Sequence, residues 1–181
     1  MPRGRPLEVQ RELLEAFVNS GWVNEHLVNV LPDTVWHAPP PGGGRTIAAI
    51  VAHMQSLRRT FARMGGAQPG PPSLDGKRCT RAEAVRALRQ STETLAAQFE
   101  AAIAAGLARV KGQPRRVVDM LTYILQHDAH HRGQICMLAR QLGAPLRGED
   151  VTRIFGWKKL DAPVRAASTR PRSAAGTRGR S

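Results

Sequence analysis

The segment Leu125-Gln126-His127-Asp128-Ala129-His130-His131-Arg132-Gly133-Gln134 concentrates the metal-ligating chemistry of this chain. It lies near the end of a long stretch with helical apolar periodicity. On a helix turning about 100° per residue, His127 and His131 are one turn apart and only about 40° offset, so two imidazoles can chelate one ion. Ile124, Ile135 and Leu138 share that face and turn the pair towards an apolar interior. A third ligand must come from elsewhere. The candidate is His53, flanked one turn to either side by Ile50 and Leu57 in a second periodic stretch, Thr46 to Met64. Three neutral imidazoles leave a divalent cation its full charge, and three protein ligands keep a position open for water or substrate.

The neighbouring polar residues admit several roles. His130 is rotated about 60° from His127 and reads as a surface histidine or one behind the ligands. Asp128 or Gln134 can orient an imidazole by accepting its second N–H, or lie on the helix surface. His37 is loop-borne, structural or exposed, with a fourth, substrate-dependent ligand as the sharper alternative. The run from His127 to His131 superficially resembles the HExxH zinc-protease helix, with Glu149 as a downstream ligand, but Asp128 is one methylene short of the general base that motif requires.

Four helices are expected to position these groups. The first runs from about Leu7 to Leu31, with Leu13, Leu14, Phe17, Trp22, Leu27 and Leu31 marking its stripe, and Pro32 and Asp33 end it. Val35 to Gly44 is a proline step followed by a glycine step, incompatible with helix or central strand. The second helix starts at a Thr46 cap, carries Ile47, Ile50, Met54, Leu57 and Phe61, and stops at Gly65-Gly66. Thr80-Arg81-Ala82-Glu83 is a capping box that opens the third, with Val85, Leu88, Leu95, Phe99 and Ile103 on its buried face. Pro114 suits the first turn of the fourth, and Gly143 suits the position just past its end. Gly133, inside that helix at a cost of roughly 1 kcal/mol, reads as a close approach of backbone or ligand, or as a tolerated weak spot.

The class is therefore all-α, a four-helix bundle. A short join makes the last two helices antiparallel, whereas the connection between helices two and three is long enough to cross the bundle. With a crossover, His53 and His131 lie about 10 and about 16 Å below the same end. Simple up-and-down alternation puts His131 about 25 Å down, out of reach. The three-histidine site favours the up-down-down-up crossover and places Trp36 and His37 at the metal's end.

Composition narrows the function classes. A chain of 181 residues is one domain by size. Its net charge of +13 is uneven: residues 162–181 hold +5 and residues 1–11 hold +2, leaving +6 on the body. A tail of Arg, Ser, Ala, Gly, Thr and Pro is expected to stay disordered, which divides the chain into a bundle domain, 1–161, and a basic tail, 162–181. Nucleic acid would bind weakly and through that tail, because eight aromatics without basic interleaving make no stacking platform. Cys79 and Cys136 form no CxxC pair and read as buried or bystander thiols, as in a reducing cytoplasm. The longest clean apolar run, Ile47 to Ala52, is far short of the ~20 residues a bilayer requires, and no signal peptide is visible.

His127-x-x-x-His131-Arg132-Gly133-Gln134, preceded by Gly42-Gly43-Gly44-Arg45 and a helix bearing His53, resembles the DinB/YfiT-like superfamily of metal-binding four-helix bundles. The resemblance extends from the first helix to Trp157; the chain departs from the pattern in its long basic tail and carries little substrate-specific signature. It implies an up-down-down-up bundle, often homodimeric, that binds a divalent metal through the residues matching His53, His127 and His131. It also implies a thiol-dependent S-transferase or isomerase, or a metal-dependent hydrolase. The expectation is a small-molecule enzyme using zinc, nickel or iron with a low-molecular-weight thiol; the alternative is a non-catalytic metal-binding stress-response module. Imidazole must be neutral to coordinate, so binding is expected to weaken below about pH 6.5.

Overall fold

Apolar residues at three- and four-residue spacing form the long helices where the sequence places them. In the computed structural model, which describes residues 8–68 and 72–155, all regular structure among the described residues is helical. The long helices are α1 (Val9–Val30), α3 (Ile47–Met64), α4 (Arg81–Ala104) and α5 (Val117–Gln141). The short ones are α2 (Asp33–Trp36) and α6 (Gly148–Ile154). Trp157 and the tail at 162–181 lie outside the described residues. No helix among those described is long and apolar enough to cross a membrane.

The caps follow the local chemistry. Thr46 Oγ1 accepts the Ala49 N–H at 3.2 Å and starts α3. At α4 the Glu83 N–H bonds Thr80 Oγ1 at 3.2 Å while the Thr80 N–H bonds Glu83 Oε2 at 2.8 Å, so the capping box satisfies two otherwise orphaned donors. Gly143, at φ 80°, stands just past the end of α5.

Three expectations are corrected. Pro114 is not in the first turn of α5; that helix opens at Val117, with Arg116 as its N-cap and the Val117 N–H bonded to the Ala108 carbonyl at 2.8 Å. The segment after Pro32 makes the single turn α2, which buries Val35 and Trp36. The helix α6 follows α5, its buried Asp150 carboxylate 3.3 Å from His26 of α1 and 3.1 Å from Arg147. Four and seven residues are too few for periodicity to reveal.

Packing joins α1 to both α4 and α5, and α3 to the same two helices. Arg11 near the start of α1 reaches Glu100 near the end of α4, while Arg89 holds Glu25 at 2.6 Å and Arg81 donates to the Asn29 carbonyl at 3.1 Å. Two apolar clusters result. One gathers Leu27, Val28, Leu31, Ile47, Ile50, Met54, Leu88, Ile135 and Leu138. The other gathers Leu14, Phe17, Ala62, Leu95, Phe99, Met120, Leu121 and Ile124 around an edge-to-face Phe17–Phe99 pair.

A buried polar belt lies between them. Arg58 of α3 and Asp128 of α5, both with no exposed surface, form an ion pair. Asp128 Oδ2 also accepts from Ser20 Oγ at 3.1 Å and Asn24 Nδ2 at 2.9 Å, both on α1. Arg132 Nη1 donates to Ser20 Oγ at 2.8 Å and Asn24 Oδ1 at 3.0 Å. The belt fixes α1, α3 and α5 in one register, because buried charges are tolerated only when paired and hydrogen-bonded. Deleting one partner leaves the other charge stranded. Asp128→Ala should therefore cost about 3–5 kcal/mol in urea unfolding, and a loss under about 1 kcal/mol would show that the belt does not organise the fold.

Two glycines give a second prediction with opposite signs. Gly112, at φ 86°, sits so close to the end of α3 that a Cβ there would collide with the Met64 carbonyl oxygen. Gly133 is helical, and a Cβ there would meet nothing within 4 Å. Gly133→Ala should stabilise by roughly 1 kcal/mol and raise Tm by about 2–4 °C, whereas Gly112→Ala should lower Tm by at least that amount. Thermal melts followed by circular dichroism read both.

Candidate metal centre

The belt holds α3 against α5 just where each carries its histidines. His53 Nε2 lies 3.2 Å from His127 Nε2, and His127 Nε2 lies 3.1 Å from His131 Nε2. One nitrogen from each ring falls within 4.8 Å of the others. The cluster contains His53, His127 and His131 and leaves out His37, His130 and Glu149.

Proton bookkeeping tests whether this trio suits a cation. His131 Nδ1 lies 2.7 Å from Gln134 Oε1, and an amide oxygen there requires the N–H on Nδ1, which leaves a lone pair on Nε2. His127 Nε2 sits between two other Nε2 atoms, and a single proton on it can point at only one of them. If it carries none, it faces the His131 lone pair directly. A cation at the centre satisfies all three lone pairs at once. Tetrahedral bonds of about 2.0–2.1 Å would separate ligand nitrogens by roughly 3.3–3.4 Å, close to the two spacings observed.

Burial keeps these rings neutral. It is the largest cause lowering the pKa of each, and His127 is pushed down to about 4, with the neighbouring His131 adding to the effect and the Asp128 charge opposing it. For His53 the Arg45 guanidinium is the next cause after burial. For His131 the Gln134 hydrogen bond works against burial. Neutral imidazole is the form that coordinates. Tyr123 packs beside His127 at 6.1 Å between ring centroids and itself meets Phe61 edge-on, closing the apolar side.

The remaining candidates separate cleanly. Gln134 orients an imidazole; Asp128 does not, because it turns inward to Arg58, Ser20 and Asn24. That removes Asp128 as a general base, and Glu149 pairs with Arg147 at 2.8 Å, so the HExxH-like reading fails on both residues. His130 is exposed beside His131, their centroids 5.0 Å apart. Trp36 and His37 are held elsewhere: Trp36 Nε1 donates to the Cys79 carbonyl at 2.7 Å, and His37 Nε2 lies 3.0 Å from the same oxygen. His37 is thus a tether rather than a fourth ligand. Cys79 is buried and Cys136 half-buried, both free, and burial pushes both thiols up. Sequence reasoning passed over Arg58, Ser20 and Asn24, and gave Arg132 no role beyond its place in the motif. Its available signal was that Arg58 follows Met54 by one turn, on an apolar stripe where an unpaired arginine would be intolerable.

Neither a curated protein nor a solved structure matches the chain. The model of the DinB family matches residues 4–161, which span all six helices and the histidine cluster. With most of its length covered, the chain belongs to the DinB family.

Proposed function

We propose that His53, His127 and His131 hold one divalent ion, zinc, nickel or iron, and that the protein is an enzyme of small molecules working by thiol-dependent S-transfer or by hydrolysis. The carrying observation is the convergence of three neutral Nε2 atoms that no arrangement of protons satisfies. A bound ion would supply Lewis acidity, lowering the pKa of a thiol or water beside it. The chain's own residues do the rest. Gln134 fixes the His131 tautomer, Tyr123 shields His127, and the Arg58–Asp128 pair keeps α3 and α5 at ligand spacing.

The same proposal takes α1, α3, α4 and α5 as an up-down-down-up four-helix bundle with the α3-to-α4 connection as its crossover. Three observations support it. Arg11–Glu100 and Arg89–Glu25 pair opposite ends of α1 and α4, the two His53 and Arg58 contacts reach α5, and the Gln98 amide donates to the Ala62 carbonyl at 2.8 Å from the late part of α4 to the late part of α3. A homodimer, a domain of residues 1–161 and a basic tail at 162–181 complete the reading.

Metal analysis of the purified protein, followed by a screen of thiol co-substrates, tests it. Alanine at His53, His127 or His131 should each remove most of the metal while the helical circular dichroism signal persists, and His130→Ala should retain it. Full occupancy in His53→Ala would break the ligand set. Metal that binds without any thiol- or water-dependent turnover would leave the non-catalytic module.

A pH series adds an independent check. Because burial lowers all three imidazoles, proton competition should set in below the ordinary imidazole range of about pH 6.5. The sign for stability follows. Between about pH 6.5 and about 4 the unfolded chain binds a proton at His127 that the native state does not, so the stability of the metal-free protein should fall as pH falls through that window. Half-release of metal at or above pH 6.5, read with a colorimetric chelator, would contradict the burial argument.

A further inference from the structure

A cavity of about 600 Å³ opens beside the histidines, between the Pro40–Arg45 loop and the outer face of α5. Gln134, which holds the His131 ring, is in its wall, as are His130 and Ile50, the latter three residues before His53. Pro40, Pro41, Met137 and Leu138 supply apolar surface, and Gly133 adds no side chain to fill the space. Arg45 is the one fully charged group in this lining.

Arg45 has no carboxylate partner among the described residues, a state it shares with other arginines such as Arg63 and Arg140, but it has that state in the wall of a cavity beside the histidines. Its field reaches the histidines, since it is one of the groups holding His53 and His131 below the ordinary imidazole range. Asp128, the acid next to the centre, is already neutralised by Arg58. An ion held by three neutral ligands would add two further positive charges beside Arg45. The site as built therefore lacks an anion.

We propose that this cavity is the substrate subsite of the metal centre and that Arg45 receives the carboxylate of a small amphipathic substrate whose apolar part lies along Pro41, Met137 and Leu138. A carboxylate on an apolar body fits this lining: one guanidinium matches the planar group through two parallel N–H···O bonds, and the apolar wall takes the rest of the molecule. Helical Gly133 is accounted for by the same geometry: a side chain there would enter the space the substrate needs. The inference rests on the metal-centre reading for the word substrate, but carboxylate binding at Arg45 can be measured with or without metal.

The test titrates the full-length protein, zinc-loaded and zinc-free, with 4-phenylbutyrate and with its neutral amide, by ¹H–¹⁵N NMR. The acid should bind about tenfold more tightly than the amide, a preference the size of one charge-assisted hydrogen bond. Arg45→Gln should abolish that preference with zinc content unchanged, Arg45→Lys should keep part of it, and Gly133→Phe should weaken acid and amide alike. Equal binding of acid and amide, or a preference that survives Arg45→Gln, overturns the subsite. Failure of the metal reading looks different: wild-type protein retains no zinc, yet the Arg45-dependent preference is still there to be read.

Discussion

The buried Arg58–Asp128 ion pair is the contact on which the candidate site depends. It joins α3 to α5 within five residues of His53 and one residue from His127, so any slip between these helices that separates the imidazoles must first break a desolvated charge pair. Apolar packing alone would not enforce that register, because leucines and isoleucines tolerate small shifts between ridges and grooves at modest cost. A buried ion pair has a steep distance dependence and extra hydrogen bonds to satisfy. Ser20 and Asn24 of α1 donate to Asp128 Oδ2 and in turn accept from Arg132 of α5, which extends the constraint to a third helix.

The same pair governs the electrostatics of the histidines. A lone carboxylate next to His127 would favour imidazolium and close the site to cations by protonating a ligand. With Arg58 alongside, the effect of the Asp128 charge is offset, burial prevails, and the His127 ring stays neutral down to about pH 4. Structural pairing and ligand chemistry are thus one arrangement. The acid that the sequence offers as a general base instead shapes the field in which the imidazoles sit.

What the sequence made legible follows from how locally each feature is encoded. The four long helices show in their periodicity, and the caps at Thr46 and Thr80 show in two or three adjacent residues. The histidine trio shows because i,i+4 spacing is rigid within a helix and His53 occupies an apolar stripe. The polar belt was not seen because Ser20 and Asn24 look like surface residues of α1 until a partner covers them, and that partner is over a hundred residues away. Trp36 and His37 were placed at the metal's end by helix length alone. Their bonds to the Cys79 carbonyl, just before α4, were not legible, because no periodicity encodes a contact between loops.

Gly133 shows how stability and chemistry divide on α5. One face of that helix is committed to Ile124, Asp128, His131 and Ile135, all buried, and cannot change without disturbing core, belt or ligands. The other face carries His130, Gly133, Met137 and Gln141, which bear no packing load and line the cavity. A glycine on such a face weakens the helix by an amount comparable to a tenth or so of a typical domain's total stability, roughly 1 kcal/mol out of about 5–15. The buried face can offset that cost because its contacts span three helices. The open face can then be shaped by what must pass over it, which is the condition under which a helix interior keeps a residue that helix formation alone would reject.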